Sequence, residues 1–439
     1  MREARNLWWA HGGSGRNPLC LIASTHGRGR AFRVERGWHA HCIQPFMERQ
    51  WKEKLPAPVR ATASAFQGVA CSVLLVLSAM PARSQIVFDS TRTSVTVEAY
   101  GNLTTGAARE SARSAGQAPD AVRLDGAARV FGRLHTSRGP DVGVRVVAEG
   151  YNDHVHLGEA SILLFGSVGR LEVGKRMGLP DVLTGYAPNS FTFTTAEFGP
   201  PTGRTLDPGG GLQTQFLRPA MRMRVESLTA YGVTASQFGD QSTKILYVSP
   251  KHDGWLVGAS FARDADDSRY DWLEQIGVVH ESYWQQNVWR WGGSYAHARA
   301  ALNGAVPLNG LNSLSLGTSV TLNDSLDLGI AGSYDGRSGL PRAAQGTSAS
   351  PAWGTTASVN YNSGSWTVGA YYQYARASSI ALHGADRLSA FEVGASYRFT
   401  TKLRVYGAWY LYNIKNEALS PDPLSGSGDV FTLGLRATL

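Results

Sequence analysis

The sequence predicts an all-β protein: a transmembrane antiparallel β-barrel of 16–18 strands with a long third loop folded inward. Two patterns predict it. Apolar residues alternate with small or polar ones over much of the chain, which is the period of a strand. Aromatic residues gather near the ends of those stretches, as at Trp255, Phe261, Trp289, Trp291, Tyr295, Trp366, Tyr397, Phe399 and Trp409, where the two boundaries of a lipid layer would fall.

The closing stretch shows the alternation most plainly. Phe431, Leu433, Leu435, Ala437 and Leu439 share one face, and Val430, Thr432, Gly434, Arg436 and Thr438 the other. Leu314, Leu316, Thr318, Val320 and Leu322 alternate with serine, glycine and threonine, then Asn323-Asp324 turns the chain into Leu326, Leu328 and Ile330. Trp366 to Tyr374 and Phe391 to Phe399 repeat the pattern. A soluble sandwich also alternates, but its inward face is apolar. Here the second face is small and polar, which suits a wet lumen with lipid outside.

The charge is confined to one end. The formal net charge is +8. Residues 1–84 hold 12 Lys+Arg and 4 Asp+Glu, so the remainder carries 30 of each sign. The basic balance therefore gives no argument for a nucleic-acid partner. Cys20, Cys42 and Cys71 also precede residue 85, which leaves the rest without disulfides, thiolate nucleophiles or cysteine metal sites. Phe66 to Met80 is apolar, follows a basic stretch and precedes Ala82-Arg83-Ser84. That is the order of a secretory signal. The run is too short for the ~20 residues of a spanning helix. Residues 47–84 are expected to be a signal peptide, and 85–439 the barrel domain. Residues 1–46 have neither strand nor helix period and are expected to be a mis-assigned extension ahead of the true start at Met47.

Strand candidates follow in order near 93–102, 121–136, 142–151, 156–167, 170–178, 220–227, 230–237, 243–250 and 255–264. They continue near 271–283, 286–299, 311–322, 325–336, 353–362, 366–378, 387–399, 403–414 and 429–439. Each is near the ~10 residues a tilted spanning strand needs. The stretch 220–237 reads as one strand or two, so 16 to 18 strands fit. Short connections such as 323–324 and 362–364 alternate with long ones near 337–352 and 415–428, the asymmetry of periplasmic turns and outer loops. Residues 179–219 form an interruption of about forty residues, rich in Gly, Pro and Thr, well beyond ordinary loop length and so expected to be functional.

Strand parity places charges inward. Arg123, Arg129 and Arg133 share a face, as do Arg145 and Glu149, and Arg222 and Arg224 alternate with Met221, Met223 and Val225. On the lipid face each charge would cost about 2–4 kcal/mol at the midplane. The long interruption supplies Asp181, Glu197 and Asp207. These nine residues are the candidates for a pore constriction. The arginines either narrow a passage or stand solvated in a wide lumen, Glu197 either faces the passage or braces its loop through backbone amides, and Asp181 also suits a helix cap. Tyr371, Tyr406, Tyr410 and Tyr412 fall on inward parity too. Asp264, Asp266, Asp267 and Asp271 lack calcium-loop spacing, and no Ser/His/acid set, nucleophile elbow or phosphate loop is present. No catalytic residue, cofactor or metal is expected.

Several of these segments resemble the Gram-negative general porins. Leu164-Phe165-Gly166-Ser167-Val168-Gly169-Arg170-Leu171-Glu172-Val173-Gly174-Lys175 is similar to the strand, turn and strand before the family's third loop. Ala196-Glu197-Phe198-Gly199 resembles the family's Pro-Glu-Phe-Gly-Gly run within that loop, and Val393 to Tyr412 resembles a late hairpin. The resemblance spans roughly 86–439, with Leu439 where the family usually ends in Phe. It implies an outer-membrane homotrimer of a Gram-negative bacterium, one pore per subunit, in which a basic wall ladder faces loop acids. It also implies passive diffusion of small hydrophilic solutes and ions through a structure embedded in outer-membrane lipid. A substrate-selective channel, for a sugar or another small metabolite, is the alternative.

The leader reading has a direct test. Sequencing the mature protein's N-terminus is expected to give Gln85 or Ile86; a precursor that begins at Met1 would overturn the assignment of 1–46.

Overall fold

The computed structural model describes residues 86–110, 122–137, 139–151, 154–183, 216–217, 225, 228, 242–264, 270–301, 307–342, 350–378, 385–416 and 425–438. The chain divides into two units, 1–63 and 64–439, and all described residues belong to the second.

The strands are β1 Ile86–Asp89, β2 Thr93–Glu110, β3 Val122–Leu134, β4 Asp141–Tyr151, β5 His154–Gly166, β6 Gly169–Lys175, β7 Thr243–Val248, β8 Trp255–Asp264 and β9 Tyr270–Trp284. They continue as β10 Asn287–Ala300, β11 Leu311–Leu322, β12 Leu326–Gly336, β13 Ala352–Ser363, β14 Trp366–Ser378, β15 Ala385–Arg398, β16 Leu403–Asn416 and β17 Gly426–Thr438. A short helix, α1, spans Leu179–Val182. All strand pairs are antiparallel, and pairing of β17 with β2 and of β9 with β10 closes β2–β17 into a 16-stranded barrel. The four residues of β1 pair with β2 below the end of β17: Thr438 stands opposite Tyr100, and Ile86 opposite Val97. β1 and β17 thus lie end to end along one neighbour.

Side-chain exposure follows the alternation. Leu316, Ile330, Trp366, Phe391, Trp409 and Phe431 stand exposed on the outside, while Ser315, Thr356, Gln373, Glu392 and Thr432 are buried on the inside. A polar inner face sets a barrel apart from a sandwich, and the sheet is closed as a barrel requires. Outer aromatics meet in two bands. Trp366, Tyr397 and Phe399 pack at the short-turn end, with centroids 4.8 and 4.7 Å apart, and Trp353 with Tyr374 and Phe261 with Trp272 at the other, at 5.3 and 5.6 Å. Among the described residues, no exposed aromatic falls on β2–β6. That sector instead holds a recess of about 490 Å³ whose lining includes Gly101, Gly126, Ala128, Ala148, Gly150 and Leu435.

The connections of two to six residues after β3, β5, β7, β9, β11, β13 and β15 lie at one end of the barrel, and the four longest, after β2, β10, β12 and β16, lie at the other with the stretch after β6. In the three-residue connection 323–325, Asn323 and Asp324 both have positive φ, 49° and 54°, and the Ser325 amide donates to the Leu322 carbonyl at 3.0 Å, the arrangement of a type I′ turn.

Three expectations need correction. The stretch 220–237 is not strand where it is described: Val225 and Leu228 are helical. The alternation at Met221, Met223 and Val225 has the period of a strand. The same stretch is rich in helix formers and carries Val225 and Leu228 three residues apart on one helical face. The fifth strand candidate, 170–178, stops at Lys175 and gives way to α1. The gap in the wall is consequently longer than 179–219 and runs over 176–242.

Two glycines on the β16–β17 ladder separate tight from loose packing. A Cβ on Gly434 would run into the Tyr406 ring, whereas one on Gly407 meets only ordinary contacts from 3.5 Å outward. Gly434→Val is expected to lower barrel stability by about 1–3 kcal/mol, the usual cost of overpacking, read as a lower urea midpoint; Gly407→Ala is the control that should leave it nearly unchanged.

Candidate functional site

Parity is the first thing the site depends on. Arg129 and Arg133 point inward on β3, and Arg145 inward on β4, as the alternation requires. Arg129 pairs with Glu98 on β2. Arg133 donates to Asp141 through Nη2 at 2.8 Å and Nε at 3.0 Å, and its guanidinium lies 4.4 Å from the Phe165 ring centre. Arg145 is held more loosely, 3.8 Å from Glu172, with Phe131 at 5.9 Å. Arg123 stands near the other end of β3.

The three β3 arginines are spread along the strand. Arg123 and Arg133 are ten residues apart, about 33 Å along a strand, so they reach from one mouth toward the other. Arg133 belongs to the short-turn mouth, where Asp141 also binds His135 Nδ1 at 2.9 Å and accepts from the Thr136 amide at 2.9 Å.

The densest charge lies on β4, β5 and β6 and includes residues parity alone had not singled out. Arg176, one residue beyond β6, reaches Glu159 of β5 at 2.5 Å through Nη1 and Glu172 of β6 at 2.9 Å through Nε. Arg170 adds a contact to Glu172 at 2.8 Å, so three arginines surround that carboxylate. Glu172 is fully buried. An unpaired carboxylate there would be prohibitive, and removing one partner of such a pair costs about 3–5 kcal/mol. Lys244 on β7 is also buried on this inner face. Glu172 was legible from its place between Leu171 and Val173. Glu159 was not, because the β4–β5 register shifts at Val147/Ala148 and leaves Gly158 as the extra residue, which reverses parity along β5. Glu149 lies over that glycine, 2.8 Å from where its Cβ would be.

At the end of β6 the chain turns off the wall. The Arg176 amide donates to the Ser242 carbonyl at 3.2 Å, joining the two ends of the 176–242 segment. The Leu179 amide donates to Gln275 Oε1 at 2.8 Å, and Leu179 and Leu183 are buried with Leu246, Val248 and Val279. Farther along, Phe216, Leu217, Val225 and Leu228 are buried in one cluster with Tyr371, Tyr406, Tyr410 and Tyr412 of β14 and β16. The four tyrosines do face inward, but they are covered, and Tyr406 hydroxyl meets Thr104 Oγ1 at 2.5 Å. They brace protein against protein and form no open aromatic track.

Asp181 lies on α1, with its side chain outside the described residues; Glu197, Asp207, Arg222 and Arg224 lie outside them altogether. Among the described residues no group of three or more His, Cys, Asp or Glu could hold a metal ion.

Residues 70–418 match the profile of the family described as Gram-negative porin. The chain belongs to that family. Porins with solved structures share its fold at low identity. OmpF of Salmonella typhi, solved in complex with daunomycin, aligns at a TM-score of 0.54 and 12% identity, covering 81% of this chain and 100% of that one. OmpT of Vibrio cholerae, an outer-membrane protein, aligns at 0.51 and 12%, with the same coverage. The anion-selective porin of Comamonas acidovorans aligns at 0.50 and 15%, covering 79% and 100%. No curated protein matches the sequence. As a porin the protein resides in the outer membrane of a Gram-negative bacterium and forms a channel for passive diffusion of small solutes.

Arg145, with only a loose partner, should act on passing ions more than Arg133 does. A unit charge about 10 Å from the ion path in water is worth about 0.4 kcal/mol, near twofold in local ion concentration. Since the charge acts oppositely on the two ions, Arg145→Ala is expected to move the zero-current potential in a KCl gradient toward cations by about fourfold in permeability ratio, and Arg133→Ala by less. Equal shifts would overturn the distinction.

Proposed function

We propose that this porin is a general, water-filled channel for small hydrophilic solutes and ions, narrowed by the segment 176–242, and is not an enzyme. The observation that carries this reading is the shortening of β6 and β7 to 7 and 6 residues where the chain leaves the wall beside the Arg145, Arg170 and Arg176 cluster. Wall and segment together would set a passage lined by opposed charges. Charged linings select among small solutes without binding any one tightly. Asp181, Glu197 and Asp207 are proposed as the segment's acids and Arg123, Arg129, Arg133, Arg145, Arg222 and Arg224 as basic contributors, with Arg129 and Arg145 nearest the narrowed part. The burial of Tyr371, Tyr406, Tyr410 and Tyr412 counts against a sugar-selective channel, which would need such rings open to the solute.

We also propose a homotrimer that contacts outer-membrane lipid over β7–β17 and its own copies over β2–β5. Tyrosine and tryptophan mark lipid boundaries, and β2–β6 carries no exposed aromatic among the described residues. Small residues such as Gly101, Gly126 and Gly150 permit close approach of another protein surface.

Refolded 85–439 in a planar bilayer is expected to give stable current steps in groups of three, linear with salt concentration. A folded barrel that never conducts would overturn the open-channel reading, and single isolated steps would overturn the trimer.

A further inference from the structure

The Arg176 network has a role besides charge. Its side chain is only 10% exposed, so little of it meets water in the lumen. It nevertheless stands at the first position after β6, at the root of the stretch between β6 and β7. Its amide ties the two ends of 176–242 together through Ser242, and its guanidinium ties that junction to two strands through Glu159 and Glu172. Arg170 Nε lies 2.8 Å from the other oxygen of Glu172, Oε1, as an ion pair without a hydrogen bond, and adds positive charge beside the carboxylate that Arg176 grips.

We infer that Arg176 is a positioning residue: with Glu159 and Glu172 it clamps the root of the 176–242 segment and holds the channel at one width. The inference rests on the reading of that segment as the part that narrows the lumen. The geometry requires an arginine. Two carboxylates on adjacent strands are reached at once by Nη1 and Nε, a fork that a lysine ammonium does not reproduce. The next attachment lies beyond it at Leu179, whose amide bonds Gln275 and whose side chain fills the space over Gly258. Residues 176–178 are therefore the short arm between a charged clamp and an apolar seat. With the clamp cut, the arm is free to swing about α1, and the segment behind it samples more than one position.

A clamp and a pore charge make different predictions, because a clamp fails in the same way whichever partner is removed. Arg176→Met and Glu172→Gln change the charge in opposite senses. Single-channel recordings are expected to show both variants flickering among at least two levels where the wild type holds one, with Arg176→Lys flickering less than Arg176→Met. Quiet single levels whose zero-current potentials move in opposite directions would overturn the clamp and make Arg176 a fixed selectivity charge. If Arg176→Met does not fold, Glu172→Gln and Glu159→Gln, which keep side-chain shape, decide the matter by the same readout. A folded wild type that never conducts overturns the channel reading and this inference with it; a conducting wild type with quiet variants overturns the clamp alone.

Discussion

Closure of the sheet is the constraint on which the rest of the structure depends. In hydrocarbon no water satisfies a peptide group, so every backbone donor and acceptor on the wall needs a neighbouring strand. An open sheet would leave two unpaired edges. The pairing of β17 with β2 and of β9 with β10 removes both. With the wall closed, each side chain has only two places to go, lipid or lumen, and the period of two becomes a strict sorting rule.

That rule explains why so much of the wall could be read in the sequence. Leu314, Leu316, Phe391, Trp409 and Phe431 face outward and Ser313, Ser315, Glu392 and Thr432 inward, as simple alternation requires. The inward turn of Arg129, Arg133 and Arg145 was equally plain, since lipid tolerates charge poorly at depth. What alternation cannot supply is position along the strand or a change of phase. Arg123 and Arg133 share a face yet lie near opposite mouths. Gly158, an extra residue in β5, exchanges inside and outside within a single strand and hid Glu159.

The segment that leaves the wall obeys no such rule. Away from the wall a helix and a strand can each bury apolar residues, and the alternation at Met221, Met223 and Val225 does not distinguish them. Tertiary packing decided it: Val225 and Leu228 are helical and buried against inner-wall tyrosines. The same packing turned Tyr406 and Tyr410 from residues available to a solute into residues occupied by protein. Parity told correctly which way they point but not what meets them there. Site residues drawn from a wall are therefore more legible than those drawn from a loop, because the wall's partner on each side is known in advance.

The end-to-end arrangement of β1 and β17 along β2 has a consequence for assembly. The wall's final seam joins residues more than 300 positions apart in sequence, Gly428 with Glu110, while β1 is already paired with β2 by a local hairpin. The early hairpin can form from neighbouring residues; the seam must wait for the last strand and bears the full entropic cost of closing the longest loop in the molecule. Until then β2 offers an unpaired edge above Val97, the length that β17 later covers. β1 protects the remainder, so the vulnerable edge of the unfinished barrel is shortened before the final strand arrives.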